Sequence, residues 1–482
     1  MTTTSSTPSP WLLAALASFA VPAQASSFDL NEDWSFTTRS TLSLGSSWST
    51  QSPDKHLMTR ANALQAQGVH ADGSGVSADD NRLNFKKGDP ISQTVKGLTD
   101  FSLDGQGQGA FVRLKYWYDH AYETRDGRFK DFDDSGWDDL AKFQGLEVLD
   151  AYLWKDVELA GHPLSFKLGK QVLSWGEALL IQNGINVINP LDITAFNRPG
   201  VEIKEGQLPV EMLSFSFGVS DTLNLEGFYQ YNWRASVLDG CGTFFATSDV
   251  IQPGCGPLYL GQVLTDPQMQ ASGLYASSRG NASPSDNGQF GFALRQMLPA
   301  LNDAEAALYF INYHSRLPYL TVDARNTALP GNFPGGGQGP SYAAAFPENI
   351  RLYGLSINGV EPSSGVSLAA ELSYRPNMPL SFNAPDVTTA VVSGAAGNAW
   401  VALPEGFNNR AGDRFDGWER KGVWQVTTSA TQAIDNVLGA TRLSLFGEVG
   451  VVASVMSAWA VMPPLAAARR AMAARATPLP PE

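Results

Sequence analysis

The sequence is short of charge and of the residues that do catalysis. Asp, Glu, Lys and Arg make up only 17% of its 482 residues, and it holds five histidines and two cysteines. His56, His70, His120, His162 and His314 are scattered. There is no G-x-S-x-G nucleophile elbow and no H-E-x-x-H helix motif, so the common hydrolase machineries have no footing and an enzyme is not expected. His314 beside Ser315 is the nearest approach to a Ser–His pair. Neighbours in an extended chain point to opposite faces, which leaves a membrane esterase or lipase as a remote third reading. The excess of acid, a net charge of −14, excludes nucleic acid as a partner. After the N-terminus no stretch reaches the roughly 18 consecutive apolar residues of a membrane-spanning helix.

The first ten residues also lack Lys and Arg. They are followed by an apolar run from Trp11 to Pro22 and by Ala23-Gln24-Ala25, a small-x-small cleavage site. This pattern predicts a secretory signal peptide over 1–25 and a mature start at Ser26. A membrane anchor is the alternative, and the run is too short for one. In an exported chain Cys241 and Cys255 predict a loop disulfide, since a thiol metal site or nucleophile would need a nearby His or third ligand that the sequence does not offer. The acidic run from Asp131 to Asp139 opens like a calcium loop, but Lys142 stands where the closing Glu belongs, so neither metal nor cofactor is expected. The acidic loops could bridge to lipopolysaccharide through divalent cations, although ordinary loop solvation accounts for them.

What the sequence has in plenty is alternation. Gly is 46 of the residues and aromatics are 11%. Apolar and polar residues alternate with period two in segment after segment, for example Val112, Leu114, Tyr116 and Tyr118 against Arg113, Lys115 and Asp119. About thirteen such strands of roughly ten residues can be placed between residues 26 and 450, the length that tilted barrel strands need. The gaps between them are short and long in turn. Long ones fall at 49–90, 122–145, 170–207, 235–287, 317–349 and 376–417. A soluble sandwich has no reason to sort its loops this way, whereas a barrel with short periplasmic turns and long external loops does. Aromatics at strand ends, among them Trp34, Trp48, Tyr116, Tyr118, Tyr309, Tyr313 and Tyr353, suit interfacial girdles. The expected fold is all-β, a transmembrane antiparallel β-barrel.

The non-lipid faces carry Arg39, Lys96, Arg113, Lys115 and Lys167 opposite Asp100, Asp150, Glu226, Glu371 and Glu448, among others. Unpaired charge is costly to bury, so these imply either a wet solute path or a lattice of salt bridges that plugs it. The segment Gly169–Met212 is long, partly apolar and rich in Asn, Gly and Pro. Such a loop is better folded into the lumen than left in solvent, with Trp175, Glu177, Asn183, Asn189, Asp192 and Arg198 lining a constriction. A packed external cap is the alternative.

Several strings are distinctive: LNFKKGD, GAFVRLKYWYD, LGKQVLSWGE, GINVINPLDI, LPVEMLS, EGFYQYNWR and NYHSRLPY. In these the chain resembles the outer-membrane family known as domain of unknown function 1302, from about Phe28 to Gly450. The resemblance implies a Gram-negative outer-membrane barrel, often encoded beside periplasmic proteins and transporters for lipid-like compounds. It supplies no catalytic residue. It also implies further strands at the C-terminus, where this chain instead ends in an Ala-, Arg- and Pro-rich stretch over 451–482. That stretch reads as a shifted frame or a truncation, or else as a periplasmic helix with the strand count off by one. The expected function is a porin-like channel for small molecules, hydrophobic ones included, in the cell outer membrane. The alternative is a plugged structural or docking protein of an envelope lipid-export complex. Expected partners are outer-membrane lipids and lipopolysaccharide, the barrel-assembly machinery and periplasmic lipid-carrier proteins.

Overall fold

The computed structural model describes residues 18–73, 79–259, 261–324, 340–384, 387, 413–437 and 439–454. In chain order the strands are β1 Ser18–Asp29, β2 Ser35–Trp48, β3 Pro90–Gly105, β4 Gln108–Asp119, β5 Gln144–Leu159, β6 His162–Gln171, β7 Val210–Gly218, β8 Leu223–Gln230, β9 Leu258–Tyr259, β10 Tyr275–Ala282, β11 Gln289–Leu298, β12 Ala304–Tyr313, β13 Tyr319–Asp323, β14 Ser341–Ala345, β15 Ile350–Val360, β16 Ser367–Ser381, β17 Arg414–Asp416, β18 Trp418–Val437 and β19 Ala440–Ser454. Fourteen of them form one sheet in the order β1-β2-β3-β4-β5-β6-β7-β8-β11-β12-β15-β16-β18-β19, each antiparallel to its neighbours. The remaining five form a small sheet, β17-β13-β14-β10-β9, built within the long connections.

The fold is a transmembrane antiparallel β-barrel. Its wall is a meander, so the short turns gather at one end and the long loops at the other. Period-two alternation sets the two faces. On β12, Tyr309 and Ile311 are buried inward while Leu308 is exposed outward. The outward row of Leu146, Leu153, Leu168, Leu308, Leu355 and Val449 is uncovered by protein, as a lipid-facing belt requires. The inward face carries charge in register: Arg39 is the cross-strand partner of Asp100, and Asp100 of Arg113. Outward-facing glycines admit aromatic rings from the next strand. A side chain at Gly97 would meet the ring of Tyr116 at 2.3 Å.

The wall has fourteen strands where alternation predicts about thirteen; the additional one, β1, spans residues on both sides of the predicted cleavage point at Ala25. Its run over residues 18–25 is apolar and does not alternate, so it does not read as a strand. The pairing of β19 continues past Gly450, with Val451 opposite Val426 and Ser454 opposite Val423. A strand needs its backbone ladder and can dispense with alternation. Residues 1–17 and 455–482, the rest of the predicted signal peptide and nearly all of the atypical tail, lie outside the described residues. Among the described residues β1 and β19 are not paired with each other. Of the aromatics assigned to girdles, Tyr309 and Tyr313 are buried, because their parity on β12 points them into the lumen.

Candidate functional site: the segment folded into the lumen

Between β6 and β7, residues 172–209 leave the wall and run across the inward face of the sheet. One end of the segment is fixed by buried charge. Asp192 caps the helix Ile193–Asn197 by accepting from Ala195 N at 2.9 Å. Its other oxygen accepts from Lys115 Nζ of β4 at 2.9 Å, and both side chains are 0% exposed. Lys96 Nζ of β3 donates to Glu205 at 2.8 Å, with Lys115 3.9 Å from the second oxygen of the same carboxylate. Glu205 also closes a capping box by accepting from Glu202 N. Arg198 donates to Leu140 O and Lys142 O and lies over the Trp117 ring. Burying these ions forfeits hydration, which is repaid only because each is both paired and hydrogen-bonded.

The other end is held by hydrogen bonds and, among the described residues, by no ion pair. Glu371 of β16 accepts from Glu177 N at 2.8 Å, Ala178 N at 3.2 Å and Ile185 N at 3.1 Å. Glu448 of β19 accepts from Leu179 N, Leu180 N and Ile181 N at 2.8, 2.8 and 2.7 Å. Arg375 of β16 donates to the carbonyls of Asn183 and Gly184, and Gln425 of β18 to that of Gln182. Two glycines make the seat for Glu371: a Cβ at Gly184 would lie 1.9 Å, and one at Gly176 2.6 Å, from its carboxylate oxygens. Glu177 reaches back to Asn358 and Ser356 of β15. Between the two ends Trp175, Ile185 and Ile188 pack on Phe228, Tyr309 and Leu352 of the wall, and Trp175 Nε1 donates to Glu226 at 2.8 Å.

The reach of this segment shows how the sheet is curved. Pro199 rests against Gly45 of β2, and Ile181 against Gly450 of β19. A stretch of under forty residues (172–209) that touches strands from β2 to β19 on one face lies within the curve of the wall.

Of the predicted site residues, Lys96, Lys115, Trp175, Asn189, Asp192 and Arg198 are buried. They form the seam between segment and wall and do not face open water, because each meets its partner across that seam. Asn189 ties the base of the segment to Leu173 N, Gln171 O and Leu208 O. Glu177 and Asn183 lie on the hydrogen-bonded end. Arg113 and Asp100 belong to a separate wall lattice, in which Arg113 holds Asp100 through two bonds and Asp150 at 3.2 Å. Arg39 is exposed and makes no ion pair among the described residues. Sequence reasoning missed Glu205, Arg375 and Gln425. Parity could have found Arg375, which shares its face of β16 with Glu371.

In the long connections, Cys241 and Cys255 are joined by a disulfide with Cα atoms 5.0 Å apart. The carboxylates of the 131–139 run cap turns: Asp133 accepts from Ser135 N and Asp134 from Phe143 N. His314 is buried, accepting from Asn349 N and bonded to Asn287 O. Burial pushes the Asp239 and Asp266 carboxyls up to about 6 each.

Residues 8–457 match the family described as Protein of unknown function (DUF1302). The chain belongs to that family. No curated protein matches it. Among solved structures it is similar to two mutant forms of the ferric enterobactin receptor of Pseudomonas aeruginosa. The first is 9% identical with a TM-score of 0.29, over 90% of this chain and 69% of that one. The second is 9% identical with a TM-score of 0.27, over 91% and 78%. Overlaps this loose carry no structural detail across. The family membership embraces all fourteen wall strands and the luminal segment, and stops short of residues 458–482.

Proposed function

We propose that this family member is an outer-membrane channel for small solutes, without catalytic activity, and that residues 172–209 are its gate. The observation that carries the reading is the crossing of the lumen by a segment whose two ends are held by different physics. The end at 192–205 is held by buried ion pairs and acts as the fixed hinge. The end at 177–185 hangs on hydrogen bonds from single side chains, and Leu179 and Leu180 stand uncovered beside it. A signal peptide removed at Ala25 would deliver the chain to the barrel-assembly machinery and leave Ser26–Asp29 of β1 paired with β2. The lipid-facing belt and the acidic loops would then meet outer-membrane lipid and lipopolysaccharide.

A second reading has an observation in its favour. The Lys96–Glu205 and Lys115–Asp192 pairs bury their charges at that end, which suits a plugged structural or docking protein working with periplasmic lipid carriers. Conductance separates the two. Replacing 172–209 by a short turn should raise single-channel current in planar bilayers several-fold over the intact protein. Equal currents from both would leave the plugged scaffold as the better account.

A further inference from the structure

Glu448 sits in a site that its own side chain does not define. Three successive main-chain N–H groups, of Leu179, Leu180 and Ile181, converge on its carboxylate. No Lys or Arg takes part in the contact. Successive amides of this kind form a concavity that accepts a small anion whatever molecule carries it. The surroundings are apolar. Leu179 is 68% and Leu180 70% exposed. Ile181 lies against Gly450, where a Cβ would come within 2.8 Å of it. The same three-residue stretch thus offers donors for a carboxylate and bare leucines for a hydrocarbon chain.

We propose that the backbone of residues 179–181 is a binding site for the carboxylate of an apolar monoacid, and that Glu448 is a tethered stand-in which fills it when no solute is present. The proposal rests on the gate reading above and adds the class of solute. An arriving acid exchanges one carboxylate for another, so the three N–H groups stay satisfied throughout. The displaced Glu448 turns back to the wall beside Ser429, its cross-strand partner on β18. The segment loses its hold on β19, while Glu371 and Arg375 keep the site in place. Intramolecular competition lowers the apparent affinity of the wild-type protein, because the tethered carboxylate is always at high local concentration.

The test vacates the site and asks what refills it. In E448A, assembled as judged by heat-dependent gel migration, hydrogen exchange at residues 179–181 should speed up by about tenfold or more, the scale of losing a charge-assisted hydrogen bond. Hexanoate should restore most of the protection, and hexanol and hexylamine at equal concentration should not. E448Q keeps the side chain's length and removes its charge. It should show the same rescue at smaller amplitude, and it decides the matter if E448A does not assemble. Unchanged exchange in both variants overturns the proposal. So does equal protection by hexanoate and hexanol, which would reduce the site to an apolar contact, and so does protection by neither. The current measurement is independent. Rescue by hexanoate together with a current indifferent to deletion of 172–209 would leave the binding site standing and remove the channel.

Discussion

Lys115 and Asp192 are each fully buried, and among the described residues the only other opposite charge near either is Glu205, 3.9 Å from Lys115. Removing one leaves the other as an unpaired charge in a dry seam. Lys115→Ala should therefore cost on the order of 3–5 kcal/mol, more than an exposed pair could. The check is urea unfolding in detergent micelles, and the double variant with Asp192→Ala should recover part of the loss. Asp239 gives a pH signature of opposite sense to most carboxylates. Its folded pKa of about 6 lies above its ordinary value of 3.8. The folded state therefore binds the proton more tightly, and the stability this contributes is present below pH 3.8 and lost as pH rises through 6. The 231–288 connection should resist proteolysis better at pH 5 than at pH 7.5, and Asp239→Asn should flatten that difference. At this scale the sequence was informative about residue type and silent about partners. Lys96, Lys115, Glu371 and Glu448 could be assigned to the inward face from parity alone. That Lys115 meets Asp192 while Glu371 meets only main chain depends on the path of a segment without periodicity.

The elements were legible where alternation and loop length agreed. Each of the thirteen segments read from period-two patterning corresponds to a strand of the wall, and the long gaps are the long connections. The small sheet was not legible. Its strands β9 and β17 have two and three residues, too few for a period to show, and β17 pairs with β13 far earlier in the chain. The disulfide clips this region. With a sequence separation of 14, its loss should loosen the loop by about 3 kcal/mol on the chain-entropy account. Cys241→Ala should thus speed hydrogen exchange across 241–255 while heat-dependent migration of the barrel stays as it was; a barrel that no longer assembles would mean the clip supports more than its loop. Gly184 belongs to a tighter fit. A methyl group there collides with Glu371, so Gly184→Ala should cost about 1–3 kcal/mol through forced displacement, read by the same unfolding assay.

Taken whole, the molecule presents lipid-facing leucines on the outside and an ion-paired, aromatic interior, an arrangement that water alone would not support. It should fractionate with outer membranes and run anomalously on unheated gels. Recovery as a soluble periplasmic monomer would contradict the placement. The overall architecture could be inferred because a barrel imposes one rule on every strand. The crossing of the lumen was inferred only from an excess of apolar residues in a loop, and its exact contacts had to come from the structure.

The grip of residues 172–209 on both β2 and β19 has a mechanical consequence. A segment that leans on the wall beside both margins of a sheet acts as a spoke of fixed length. The circumference cannot widen without stretching it, and the margins cannot drift apart without first tearing Ile181 from Gly450 or Pro199 from Gly45. The spoke holds β19 through Ile181 and Gly450, so the last strand and the spoke must settle against each other. Rounding of the wall and seating of its centrepiece are therefore one event in time, and a fault in either would stall both.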